Sequence, residues 1–129
     1  MRIAKTLSIA ITLLTAVAVQ PAYSADASAF PAKKAMGVVI SNAGMTLYVF
    51  DKDVAGSGKS ACNDACATTW PYFSAEGASD VGPFTVITRD NGSKQWAFKG
   101  KPLYLYTKDA NPGDMNGDNI NDVWHIIIE

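Results

Sequence analysis

Cys62 and Cys66 are the only cysteines of the 129-residue chain, and His125 is its only histidine. In an oxidising compartment, two cysteines four positions apart most simply form a disulfide. Helix geometry constrains that reading: residues i and i+4 of a regular helix hold their Cβ atoms roughly 5–6 Å apart, whereas a disulfide needs about 3.5–4.5 Å. The bond therefore requires the segment to be distorted or non-helical. The alternative is a metal site, since two thiolates with an imidazole suit copper. Met36, Met45 and Met115 are further soft donors, although a scattered methionine is more often core filler. Covalent haem attachment would need C-x-x-C-H, which is missing.

A second constellation runs Asp114-Met-Asn116-Gly-Asp118-Asn119-Ile-Asn121-Asp122. Asp114, Asn116, Asp118 and Asp122 place oxygen atoms at relative positions 1, 3, 5 and 9, as at the start of a calcium loop, and Gly113-Asp-Met-Asn-Gly-Asp resembles the dockerin pattern. Position 6 is Asn119 rather than glycine, and position 12 is His125 rather than a bidentate glutamate. The alternative is a solvated turn ahead of the last strand.

The third constellation is repeated. Gly44-Met-Thr-Leu-Tyr48-Val-Phe50-Asp-Lys-Asp53 and Gly100-Lys-Pro-Leu-Tyr104-Leu-Tyr106-Thr-Lys-Asp109 align at an offset of 56. A tryptophan follows each unit, Trp70 and Trp124, at an offset of 54. Side chains alternate along a strand, so Tyr48 and Phe50 face one way while Leu47 and Val49 face the other. Tyr48 and Asp53 are an odd number of positions apart, so a continuous strand separates them. A hydrogen bond between them requires the backbone to turn. The simpler reading makes the aromatics core and the aspartates turn residues.

The elements that must position these groups are mainly β. Strand-like runs precede each unit, at Met36 to Ser41 and Phe84 to Thr88. Asp90-Asn91-Gly92-Ser93 separates Phe84–Thr88 from Gln95–Phe98, and Asn-Gly signals a hairpin because both residues tolerate positive φ. Residues 84–107 thus read as a three-strand meander. The helix candidate is 60–69, with Ser60 as N-cap and Pro71 beyond its end. The expected fold is a small antiparallel β domain of two tandem pseudo-repeats, about 36–73 and 84–129, with one short helix.

Residues 1–24 read as a secretory signal peptide: Arg2 and Lys5, an uncharged stretch from Thr6 to Val19, then Ala22-Tyr23-Ser24 at the cut. The apolar run is short of the ~20 residues that span a bilayer, and no cysteine near the cut could carry a lipid. The expected product is periplasmic or secreted, with neither a transmembrane nor a lipid anchor. Residues 25–35 read as a flexible lead-in, and 36–129 as one domain. The remaining chain has 9 basic and 12 acidic residues, a formal charge of −3. Without a basic cluster, this argues against nucleic acid as a partner.

The paired Y-x-[F/Y]-x-x-D motifs, Gly58-Lys59-Ser60 leading into Cys62 and Cys66, Trp70-Pro71, Lys94-Gln95-Trp96, Gly100 to Tyr104 and Gly113 to His125 together resemble the bacterial secreted-repeat family, also described as predicted lipoproteins. The resemblance covers roughly residues 36–126 and implies an architecture without a general activity. The chain departs from lipoprotein members in lacking a lipobox cysteine, and it has Trp70-Pro71-Tyr72 where Trp-Pro-Pro is common. No G-x-S-x-G, H-E-x-x-H, P-loop or dinucleotide fingerprint occurs. A nucleophilic Cys62 paired with His125 conflicts with the second cysteine beside it. The leading expectation is an exported, non-enzymatic binding or envelope-associated module, with the repeat aromatics as a contact surface for an envelope or extracellular partner. The alternative is a periplasmic copper or redox protein using Cys62, Cys66 and His125.

Overall fold

The computed structural model describes residues 30–129, with Ala10 apart from them. The expected leader, residues 1–24, otherwise lies outside the described residues. The chain forms β1 (Ala32–Ala35), β2 (Val38–Ser41), β3 (Tyr48–Phe50), α1 (Ala65–Thr69), β4 (Phe84–Thr88), β5 (Lys94–Phe98), β6 (Lys101–Pro102) and β7 (Trp124–Ile126). The strands make three small antiparallel sheets, β1–β2, β3–β7 and β4–β5–β6. Among the described residues, the mainly β class, the antiparallel pairing and the single short α-helix agree with the sequence reading.

The lead-in needs correction. Residues 32–35 form a strand, pairing with β2 from Ala32↔Ser41 to Ala35↔Val38. Met36 and Gly37, both at positive φ (52° and 78°), form the two-residue turn that joins the strands. Composition concealed this strand because only Ala32 of its four residues is buried and both of its lysines are exposed.

At the second hairpin, only Gly92 has positive φ, and Asn91 does not. Gly92 N–H donates to Arg89 O at 2.9 Å, and Asn91 Oδ1 accepts Ser93 N–H at 3.0 Å. The asparagine therefore acts through its side chain and the glycine through its backbone. The third strand of the meander shortens to Lys101–Pro102, because the chain then leaves β5 to serve the other repeat. Leu105 N–H donates to Pro71 O at 2.7 Å and Phe73 N–H to Leu103 O at 2.9 Å.

Alternation in the two motifs builds two cores. Leu47 and Leu103 are fully buried in a cluster with Val39, Phe84, Trp96 and Phe98, with Val49 and Leu105 at its margin. Tyr48, Tyr104 and Tyr106 point the other way, into a cluster with Trp70, Trp124 and Cys62. Burying each leucine contributes about 1.5–3 kcal/mol.

Candidate functional site

Tyr48 and Tyr104 meet back to back. Each donates its backbone N–H to the other's carbonyl at 2.9 Å. On either side, corresponding strands cross between repeats: β3 pairs with β7 through Tyr48↔Ile126, and Tyr104 bridges Tyr72. The two repeats are therefore interlocked around an approximate twofold axis through the Tyr48–Tyr104 pair. They are adjacent in sequence but not separate in space.

The side chains obey the same exchange. Tyr48 donates its hydroxyl to Asp109 Oδ2 at 2.5 Å, and Tyr104 donates to Asp53 Oδ2 at 2.6 Å. Each tyrosine thus binds the aspartate of the other repeat, and a turn inside each motif, closed by Asp53 N–H to Phe50 O and Asp109 N–H to Tyr106 O at 3.0 Å, carries the aspartate off the strand. The second oxygen of each carboxylate anchors the loop that follows: Asp53 Oδ1 accepts Ala61 N–H at 2.6 Å, and Asp109 Oδ1 accepts Asn116 N–H at 3.0 Å. Each phenol oxygen also accepts a bond, from Gly117 N–H at Tyr48 and from the Ser60 hydroxyl at Tyr104.

Burial, followed by the hydrogen bond to its aspartate, pushes each of these two phenols above the ordinary tyrosine range. Burial also raises the Asp53 carboxyl. The hydrogen bonds from Tyr104 and Ala61 and the charge of Arg89 oppose that rise. Both phenols thus stay protonated at neutral pH, and neither offers a base there.

Trp70 and Trp124 stack with centroids 3.8 Å apart and planes 5° from parallel. Tyr106 stacks on the far face of Trp70, and Phe50 on that of Trp124, both at 4.2 Å. The resulting order alternates between repeats: Tyr106, Trp70, Trp124, Phe50. Tyr48 and Tyr104 close the sides edge-on, at 5.4 Å from Trp70 and 5.1 Å from Trp124. Such aromatic pairs contribute about 0.5–1.5 kcal/mol each beyond burial. Except for the half-buried Phe50, these rings are buried. The expected aromatic contact surface is therefore corrected: these rings pack into the core, with both faces of each tryptophan covered in the stack.

Arg89 is a functional-looking residue that the sequence reading missed. It is 4% exposed and donates Nη1 to Gln95 Oε1 (2.8 Å) and Ser60 Oγ (3.0 Å), and Nη2 to Cys62 O. Its guanidinium lies 4.7 Å from the Tyr72 ring centroid. Its Nε is buried without a partner. Ser60, expected to cap the helix, is instead a buried member of this network. The helix begins at Ala65 after Asp64, whose φ of 53° breaks any helix from 60. The only sequence signal for Arg89 was a cation directly beside a turn.

Cys62 and Cys66 form the disulfide, with Cα atoms 5.2 Å apart. The helical-geometry constraint is met because Cys62 lies outside α1 and Cys66 within it. No cysteine is free, which removes the thiolates on which the copper reading rests. His125 is engaged elsewhere: Nε2 bonds Asp51 Oδ2 at 2.7 Å, and Nδ1 contacts Asn119 Oδ1 at 3.2 Å.

The acidic loop is likewise occupied by its own backbone. Asp114 Oδ2 accepts the N–H groups of Ala110 and Asn111, and Asp118 Oδ1 accepts Ile126 N–H. Asn116 contributes its N–H to Asp109, and Asp122 ends a 3-10 turn at φ 58°. Among the described residues, no group of three or more His, Cys, Asp or Glu is placed to hold a metal ion. Asp114 and Asp118, at cation-loop spacing, serve turn formation by accepting backbone N–H groups.

Open concavities lie outside this core. One, of about 380 Å³, lies beside β1 and β2 and is lined by Phe30, Ala32, Val39, Phe84 and Phe98, with Lys33, Lys34 and Lys99 also bordering it. A neighbouring groove of about 320 Å³ shares Phe98, Lys99 and Glu129 and reaches His125 and Lys101. Among the described residues, no helix is long and apolar enough to cross a membrane.

A family described as a secreted repeat of unknown function matches residues 32–73 and 85–127. The chain belongs to this family, and the two matched segments are the two interlocked halves. No curated protein matches the chain, and no solved structure does.

Proposed function

We propose that this secreted-repeat protein is an exported, non-enzymatic binding module of the cell envelope, released from its leader by cleavage after Ser24. One observation carries the reading: the repeated polar groups are consumed internally. Tyr48, Tyr104, Asp53 and Asp109 bond one another and the loop backbones, and both cysteines are oxidised. The motif thus works as a lock that fixes two loops and two sheets, leaving the surface grooves as the places where another molecule is met. A local disulfide in a small domain suits an oxidising compartment.

Expression with the native leader tests this. The protein should be recovered outside the cytoplasm, with Ala25 at its N-terminus and no free thiol, and should be retained saturably by washed envelopes. Recovery at full length in the cytoplasm, or no retention by envelopes, would overturn the reading.

A further inference from the structure

The groove beside β1 and β2 combines two chemistries that a single ligand class satisfies. Its interior is apolar: Phe30 packs on Phe84 with centroids 5.8 Å apart, and Phe84 on Phe98 at 5.0 Å. Val39 and Ala32 lie on the same lining. The Phe30 wall depends on Gly82, where an added Cβ would stand 2.8 Å from the ring and where φ is +53°. The volume, about 380 Å³, falls within the ~300–1,000 Å³ of small-molecule sites.

Its rim is cationic, against the −3 balance of the chain after residue 24. Lys34 follows Ala32 by two positions on β1, so the two share the groove-facing side of the strand. Lys99 lies with Nζ 5.2 Å from the Phe98 centroid. Lys99 already holds a carboxylate, Glu129 Oε1 at 2.7 Å, in a pair whose lysine side chain is 57% exposed. Exposed pairs of this kind are weak, so an incoming carboxylate can replace Glu129 on the same ammonium. Long lysine stems lie along apolar surface while their heads stay in water, which suits a ligand whose tail enters and whose head remains at the rim. Lysines on β1 also discourage strand addition by a peptide.

We propose that this groove binds a free single-chain acyl carboxylate, its tail along Phe30, Val39, Phe84 and Phe98 and its head between Lys34 and Lys99. The inference rests on the reading of the protein as an exported binding module and names the ligand class of that module. Calorimetric titration of the mature, oxidised protein with decanoate, below its micellar concentration, tests it. One saturable equivalent should bind. The Lys34→Glu/Lys99→Glu double variant and the neutral ligand decanol should each weaken binding roughly tenfold or more, the loss of one charge-assisted contact. Lys108→Glu, away from the groove, should bind as the parent does. Absence of decanoate binding, equal affinity in the double variant, or equal affinity for decanol would overturn the proposal. Binding to phosphatidylglycerol vesicles without binding to decanoate would also overturn it, in favour of a membrane surface. Any of these results alongside intact export and saturable envelope retention defeats the ligand assignment alone; loss of export or retention defeats the module reading itself.

Discussion

The hydroxyl of Tyr48 in the first repeat is bonded to the carboxylate of Asp109 in the second, 61 positions away, at 2.5 Å. Its counterpart, Tyr104 to Asp53, runs in the opposite direction at 2.6 Å. A motif that repeats along the chain therefore completes itself only across the two copies. Loss of one copy would leave the other with a buried phenol and a carboxylate without partners. An unpartnered buried polar group costs about 1–3 kcal/mol, more if charged.

Alkaline pH should weaken the fold through these tyrosines. Both phenols are held above the ordinary value of 10.0 by burial and then by their aspartates. Unfolded tyrosines ionise near 10.0, so above it the unfolded state carries fewer protons than the native state and stability falls as pH rises. The contribution is intact below pH 10.0 and is lost between that value and the folded one. Denaturant melts in alkaline buffers should show this decline, with phenolate absorbance from two tyrosines rising together with unfolding. Ionisation of both near 10.0 in the native protein would contradict it.

Asp53 acts with the same sign in the acid range. Its folded value is raised above 3.8 by burial, so its ionised form opposes folding. That cost is present above the folded value and is relieved as pH falls through it toward 3.8. Asp53→Asn should flatten this part of the stability profile, read from the same melts in acidic buffers.

Gly117→Ala should be among the most damaging small substitutions. An added Cβ would meet Trp70 at 2.7 and 2.8 Å and Tyr48 at 3.0 Å. Trp70 is clamped between Tyr106 and Trp124 and has no room to retreat. Overpacking of this type costs about 1–3 kcal/mol, with ~4–8 °C of melting temperature for each kcal/mol in a domain this size. A near-UV circular dichroism melt reads it, and an unchanged melting temperature would contradict the stacked geometry.

Removing the disulfide should be mild by comparison. A Cys62→Ser/Cys66→Ser variant opens a short loop, so the loss should remain below the ~3 kcal/mol associated with a 15-residue loop. The variant should stay folded, since the Arg89 bond to Cys62 uses the backbone carbonyl. Complete unfolding on reduction would show that the bridge, rather than the interlocked repeats, holds the domain.

The scaffold was legible in the residues where local rules suffice. Strand parity sorted Leu47 and Val49 from Tyr48 and Phe50, and the two clusters follow that division. The i to i+4 distance argument required Cys62 and Cys66 to leave regular helix, and Asp64 supplies the break. What stayed hidden depends on long-range placement. Parity excluded Tyr48–Asp53 within a strand, but nothing local indicates that Asp109 takes the vacant role. Arg89 looks like a surface turn residue until Ser60, Gln95 and Cys62 close around it. The acidic loop is ambiguous from sequence because short polar side chains at cation-loop spacing also serve backbone turns, as Asp114 and Asp118 do. The Met36-Gly37 turn was overlooked because its strand carries two lysines.

Double-mutant cycles on the full domain test the interlocking most directly. Combining Tyr48→Phe with Asp109→Asn should show a coupling of about 0.5–3 kcal/mol, and Tyr104→Phe with Asp53→Asn the same. Tyr48→Phe with Asp53→Asn, from the same repeat, should add within ~0.5 kcal/mol. Coupling confined to tyrosine and aspartate of one repeat, with additivity across repeats, would contradict the account.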